Sequence, residues 1–314
     1  MKLGLFLSSE EWGPVDLVRQ AQRGEEAGFH ALWISDHYHP WIDEQGHSPF
    51  VWGTIGAIAQ ATNMRVTTGV TCPTVRIHPA VIAHAAATAS ILLEGRFQLG
   101  VGSGEALNEH ILGDRWPPAE TRLEMLEEAV EVIRTLWQGG NQDHRGKHYL
   151  VENARIYDLP DEPPEILVSG FGPLATKLAA RIGDGYCTTA PDELIELYRS
   201  EGGKGPVQAG TKVCFDSDEA KARETAYRLW PNEHLPGELA QVLPTPAHFE
   251  QASELVTEDM VADTVPCGPH LDRHMEALQE YADAGVDELF VQQIGPNQDE
   301  FFDTWAKEVL PHFS

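Results

Sequence analysis

Short apolar runs of about six residues alternate along the chain with amphipathic stretches of about 10 to 18. The runs predict strands over residues 3–8, 30–35, 66–70, 97–102, 165–170, 185–189, 211–216 and 288–293. The stretches between them predict helices over residues 14–27, 50–61, 79–93, 119–137, 173–182, 191–199, 219–229 and 270–284, and a last helix over 299–310 closes the chain. Two segments break the alternation. Residues 143–158 read as a hairpin with a Gly turn, and residues 231–264 as an inserted loop and helix.

Eight strands alternating with eight helices leave two architectures, a doubly wound sheet or a (β/α)8 barrel. The strands are short and rich in β-branched and small residues, which suits a barrel interior. The helix-to-strand joint recurs as Glu25-Glu26-Ala27-Gly28-Phe29 and Ala282-Asp283-Ala284-Gly285-Val286, each with Gly where a left-handed residue ends the helix. The expectation is an α/β chain forming one TIM barrel over residues 1–314, with insertions after late strands. Such insertions lie at the catalytic face, so 231–264 is a candidate lid.

Charge narrows the function. Acidic residues outnumber basic ones 49 to 22, a net charge of −27. Such a surface repels nucleic acid and anionic lipid, so neither is an expected partner. No apolar run approaches the roughly 20 residues of a membrane span, and the first residues lack a signal peptide's cleavage site. Cys72, Cys187, Cys214 and Cys267 form no C-x-x-C pair and no zinc spacing, which suits a reducing cytoplasm.

In a barrel, chemistry sits at the C-terminal ends of the strands. The second strand ends Ser35-Asp36-His37-Tyr38-His39-Pro40-Trp41. His37 can take a hydroxyl proton near neutral pH, and Trp41 is a candidate pocket wall. The third ends Thr68-Gly69-Val70-Thr71-Cys72-Pro73-Thr74, small enough to admit a flat ligand near the backbone. The fourth ends Gly100-Val101-Gly102-Ser103-Gly104-Glu105-Ala106-Leu107-Asn108-Glu109. Its glycines imitate a dinucleotide fingerprint, but they follow the wrong strand and deliver a carboxyl, Glu105, that could act as a general acid. The fifth ends Ser169-Gly170-Phe171-Gly172-Pro173, where backbone N–H groups at a helix start suit a phosphate. No metal is expected: His37 and His39 would face opposite ways on a strand, and His270 and His274 lack the companion glutamate of a zinc helix.

Together these segments resemble the bacterial luciferase-like superfamily, and within it the deazaflavin (coenzyme F420)-dependent dehydrogenases of the glucose-6-phosphate dehydrogenase type. The resemblance runs from Lys2 to about Ala190, includes Arg181-Ile182-Gly183-Asp184-Gly185-Tyr186, and returns over 281–313. It implies F420 as cofactor, a CH–OH substrate and a homodimer. His37 would be the base, Glu105 would protonate ring nitrogen N1, and Trp41 would line the substrate side and support His37. Asp36 would bond the ring, and Gly69 and Val70 would back it through a cis peptide. Cys72, Asn108, Gly170, Phe171 and Gly172 would line the ring and phosphate path. The same barrel also admits an FMN-dependent monooxygenase or a non-catalytic flavin or deazaflavin binder. One departure bears on substrate. Sugar-phosphate enzymes of this family place cations in the loops after the sixth and seventh strands. Here those loops are acidic, and 231–264 contains no Lys or Arg. An uncharged alcohol or sugar is therefore expected, unless Arg76, Lys177 or Arg273 reaches the site from elsewhere.

Overall fold

The computed structural model of the protein describes residues 1–313. Eight parallel strands close into a barrel: β1 (Lys2–Leu7), β2 (Ala31–Ile34), β3 (Arg65–Thr68), β4 (Phe97–Val101), β7 (Ile166–Ser169), β8 (Gly185–Thr188), β9 (Val207–Val213) and β10 (Glu288–Gln293). They pair in chain order, and β10 closes onto β1 with Lys2 opposite Glu288. The remaining two, β5 (Gln142–Arg145) and β6 (Leu150–Ala154), form the expected antiparallel hairpin outside the barrel.

Alternation along each strand sorts the side chains. On β1, Leu3, Leu5 and Leu7 face the surrounding helices and join the main core, while Phe6 faces the barrel interior. The interior is filled, not hollow. Its lower layer is polar: Gln208 donates to Gln98 at 2.9 Å and to Glu288 at 2.7 Å, and Arg65 donates to Glu288 at 2.6 Å. Trp33 and Phe290 stack above it with centroids 4.9 Å apart, and Phe6 meets Trp33 edge-on. Gly210 makes room for this plug, since a Cβ there would lie 2.9 Å from the Trp33 ring. The plug confines any ligand to the C-terminal mouth.

The helix ends follow local chemistry. Gly28 and Gly285 adopt φ of +98° and +91°, as the recurring joint requires. Asp192 caps the helix Glu193–Ser200 by accepting from Leu194 N–H. The seventh barrel strand differs from expectation, at Val207–Val213 instead of 211–216. Gln208 and Gly210 look like loop residues in the sequence. In the barrel they are the inward positions that the polar layer and the Trp33 plug require.

The inserted segment is more helical than expected. It holds a 3-10 turn, Pro231–His234, and three short helices, Leu239–Val242, Pro246–Ser253 and Glu258–Thr264. It packs over the mouth: Phe249 is fully buried against Ile42 and Leu107, with its ring 5.1 Å from that of Trp41. Gln241 accepts from Arg122 at 2.8 Å. No helix among the described residues is long and apolar enough to cross a membrane.

Candidate active site

His37 follows β2 at the barrel mouth, its side chain 11% exposed. The Trp41 ring meets it edge-on at 4.9 Å. Its buried Nδ1 has no hydrogen-bond partner among the described residues, and Glu10 Oε1 lies 3.5 Å away. The other Glu10 oxygen, Oε2, accepts from Ser8 Oγ at 2.8 Å and Ser35 Oγ at 2.9 Å. The carboxylate is thus fixed on the Nδ1 side of the imidazole, leaving Nε2 as the nitrogen to meet a substrate. Trp41 is held in turn through its backbone N–H to Gln45, whose amide donates to Leu229 O.

Asp36 is buried and its carboxylate is already engaged. It accepts from Thr71 Oγ1 at 2.8 Å and from Arg76 at 3.0 Å. Arg76 also donates to Glu109 from its side chain at 3.3 Å and its backbone N–H at 2.7 Å. Burial pulls the Arg76 guanidinium down, but Asp36 and Glu109 outweigh it and hold it above its ordinary value. One buried cation therefore ties the loops after β2, β3 and β4 together.

Glu105 occupies the N-cap position of the short helix Ala106–Glu109 without a side-chain capping hydrogen bond and is half-buried. It lies near Cys72, Glu109 and Arg122. Asn108 accepts from the Tyr38 and His39 N–H groups at 2.9 and 3.1 Å, while its Nδ2 is buried with no partner among the described residues. The Gly69–Val70 peptide is cis, and Val70 packs on the Trp33 plug. Cys72 is buried against Thr74, its thiol pushed well above the ordinary range by burial. Gly170 is pinned: its carbonyl accepts from Tyr186 at 2.7 Å, and a Cβ there would lie 2.8 Å from Thr176 N. Phe171 is exposed, and Gly172 is open, with nothing within 4 Å of a Cβ.

Four residues at the mouth lie outside the sequence reading. Glu10 and Glu11 lie in the turn after β1, and the same rule of strand ends, applied to the first strand, would have found them. Glu11 accepts from the Trp230 indole, from Gln292 at 2.8 Å and from Gly295 N–H at 2.9 Å. Burial pushes its carboxyl up to about 7. Lys212 points inward from β9, its ammonium 4.2 Å from the Trp230 ring and 5.8 Å from the Phe6 ring. Glu233 is its ion-pair partner. A cation does face the mouth, then, but it comes from a strand and not a loop. Of the cations named from the sequence, Arg76 is consumed by two carboxylates, Lys177 pairs with Glu201 at 2.8 Å, and Arg273 donates to Ala262 O. His274 is a core residue bonded to Gly268 O at 2.9 Å. Among the described residues no group of three or more His, Cys, Asp or Glu is placed to hold a metal.

A family model described as luciferase-like monooxygenase matches residues 1–288. The chain belongs to the luciferase-like monooxygenase family. Within that family, an F420-dependent glucose-6-phosphate dehydrogenase of Amycolatopsis mediterranei (strain U-32) is 35% identical, over 99% of this chain and 98% of its own. A protein of the same description from Nocardia farcinica (strain IFM 10152) is 34% identical, over 99% and 97%. Among solved structures, an F420-dependent secondary alcohol dehydrogenase in complex with an F420-acetone adduct superposes with a TM-score of 0.92 at 29% identity, covering 100% of this chain and 99% of that one. The monooxygenase RslO1 from Streptomyces bottropensis, at a TM-score of 0.77 and 21% identity, shares the luciferase-like barrel fold.

Proposed function

We propose that the chain is an F420-dependent oxidoreductase that interconverts a hydroxyl-bearing carbon and its carbonyl, with His37 as base and Glu105 as the second proton-handling group. The observation that carries this reading is His37, its Nδ1 buried beside the fixed Glu10 carboxylate and its ring against Trp41, at the same barrel face as Glu105. A proton acceptor with an oriented carboxylate behind it is what removal of a hydroxyl proton requires.

The residues present fit a deazaflavin. The unpartnered Asn108 Nδ2 offers a donor to a ring carbonyl, and the open Gly172 at the start of helix Pro173–Ile182 leaves backbone for an anionic tail. When bound, the deazaflavin supplies a two-electron hydride acceptor. His37 Nε2 takes the hydroxyl proton while Glu10 stabilises the imidazolium. Trp41 bounds the substrate side, and Glu105 holds a proton for the cofactor side. Asp36 acts through Arg76 and Thr71, because both its oxygens are engaged, so its contribution to a ring contact comes through loop position. Gly69, Val70 and Cys72 form the wall, and Gly170 and Phe171 shape the tail's path.

The preferred substrate is an uncharged alcohol or sugar, since the loop after β1 carries Glu10 and Glu11 and residues 231–264 contain no Lys or Arg. The whole chain acts as one barrel domain, with 231–264 as the lid over the mouth. It works in the cytoplasm, binds no nucleic acid, and pairs as a homodimer through the apolar face around Phe50, Val81 and Leu92.

Titration separates this reading from an FMN monooxygenase. F420 should quench the tryptophan fluorescence, and a secondary alcohol should then bleach the F420 absorbance. Tight FMN binding with oxygen consumption would contradict the reading. Glu105→Gln should bind F420 yet reduce it slowly, whereas lost binding with unchanged kcat would make Glu105 structural.

A further inference from the structure

The hydride-transfer chemistry leaves one charged pair at the mouth without a role. Lys212 rises from β9 beside Phe6, only 11% exposed, with its ammonium against the Trp230 ring. Trp230 is itself fixed, because its indole N–H donates to the buried Glu11. The position of the cation is therefore set by a strand and two aromatic rings. Its partner is placed differently. Glu233 lies in the 3-10 turn Pro231–His234 of the insert, and its side chain is 35% exposed.

We infer that Glu233 sets the charge class of the substrate, its carboxylate occupying the Lys212 ammonium and so excluding anionic substrates such as phosphate monoesters and carboxylates. The inference rests on the proposed function for where the substrate lies, and adds the residue that rejects charge. A largely desolvated ammonium lined by aromatic rings is a strong partner for an anion when its donors are free. With Glu233 in place, an incoming anion must displace a carboxylate that belongs to the same chain and pays no entropy of association. It must also approach Glu10 and Glu11. Repulsion of this kind discriminates by rejecting the wrong ligand, not by holding the right one.

The test is calorimetric titration of inorganic phosphate into the full-length protein, comparing wild type, Glu233→Gln, Glu233→Ala and the double variant Lys212→Met/Glu233→Gln. F420 affinity is measured on the same preparations by fluorescence quenching. Both single variants should bind phosphate at least ~10-fold more tightly than wild type. The double variant should return to the wild-type level. The ratio of kcat/KM for glucose 6-phosphate over glucose should rise in the same two single variants. Unchanged phosphate affinity in both, with F420 binding intact, overturns the inference. A gain that survives in the double variant also overturns it, because Lys212 would then not be the group released. Failure of the wild type to bind F420 would count instead against the proposed function.

Discussion

At the residue scale, the mouth concentrates carboxyl groups whose protonation differs between folded and unfolded chains. Glu11 is the clearest. Burial raises its carboxyl from 4.5 to about 7, against the pull of Gly295, Trp230 and Gln292. Between those two pH values the folded state holds the proton that the unfolded chain has released. Stability from this group is therefore full below 4.5 and lost as pH rises to about 7, with no further loss above, a total of about 3 kcal/mol. Glu11→Gln cannot ionise. Relative to wild type, the variant should gain that amount between pH 4.5 and pH 7, read from denaturant unfolding at the two pH values. A difference independent of pH would mean that Glu11 titrates as it does in water. The sequence made His37, Trp41 and Glu105 legible because a strand end followed by polar residues marks the mouth. It left Glu10 and Lys212 unread for different reasons: one follows a strand taken only as structure, and the other sits inside a strand that polar and Gly residues disguise.

At the element scale, the barrel was legible because outward positions such as Leu3, Leu5 and Leu7 keep a strict alternation, and because Gly28 and Gly285 mark the helix ends. Residues 231–264 lack a long periodic run, so their four short helical pieces could not be told from loop. Tertiary contacts stabilise them. Phe249 anchors the Pro246–Ser253 helix on Trp41, Ile42 and Leu107. Phe249→Ala should cost the insert about 3–5 kcal/mol of local stability. Hydrogen exchange in 231–264 should accelerate strongly, while β1 and β10 keep their protection. Uniform acceleration across the barrel would show that the insert and the barrel unfold as one unit.

At the scale of the whole molecule, the net charge of −27 keeps copies apart unless an apolar face offsets it. One such face is present beside the helices Val51–Ala61 and Pro79–Leu92, where Phe50 and Val81 are 64% and 58% exposed and Ile91 and Leu92 are also exposed. In the homodimer proposed above, Val81→Glu should shift the sedimenting species from two chains to one. An unchanged mass would place the interface elsewhere. His37, the proposed base, is by contrast shielded at the barrel mouth, its side chain 11% exposed. The most direct test is F420 reduction by a secondary alcohol, with wild type and His37→Ala compared at saturating cofactor. His37→Ala should lower kcat by about 10²–10⁴, with F420 affinity within a few-fold of wild type. Turnover by His37→Ala at near the wild-type rate would contradict the assignment of His37 as base.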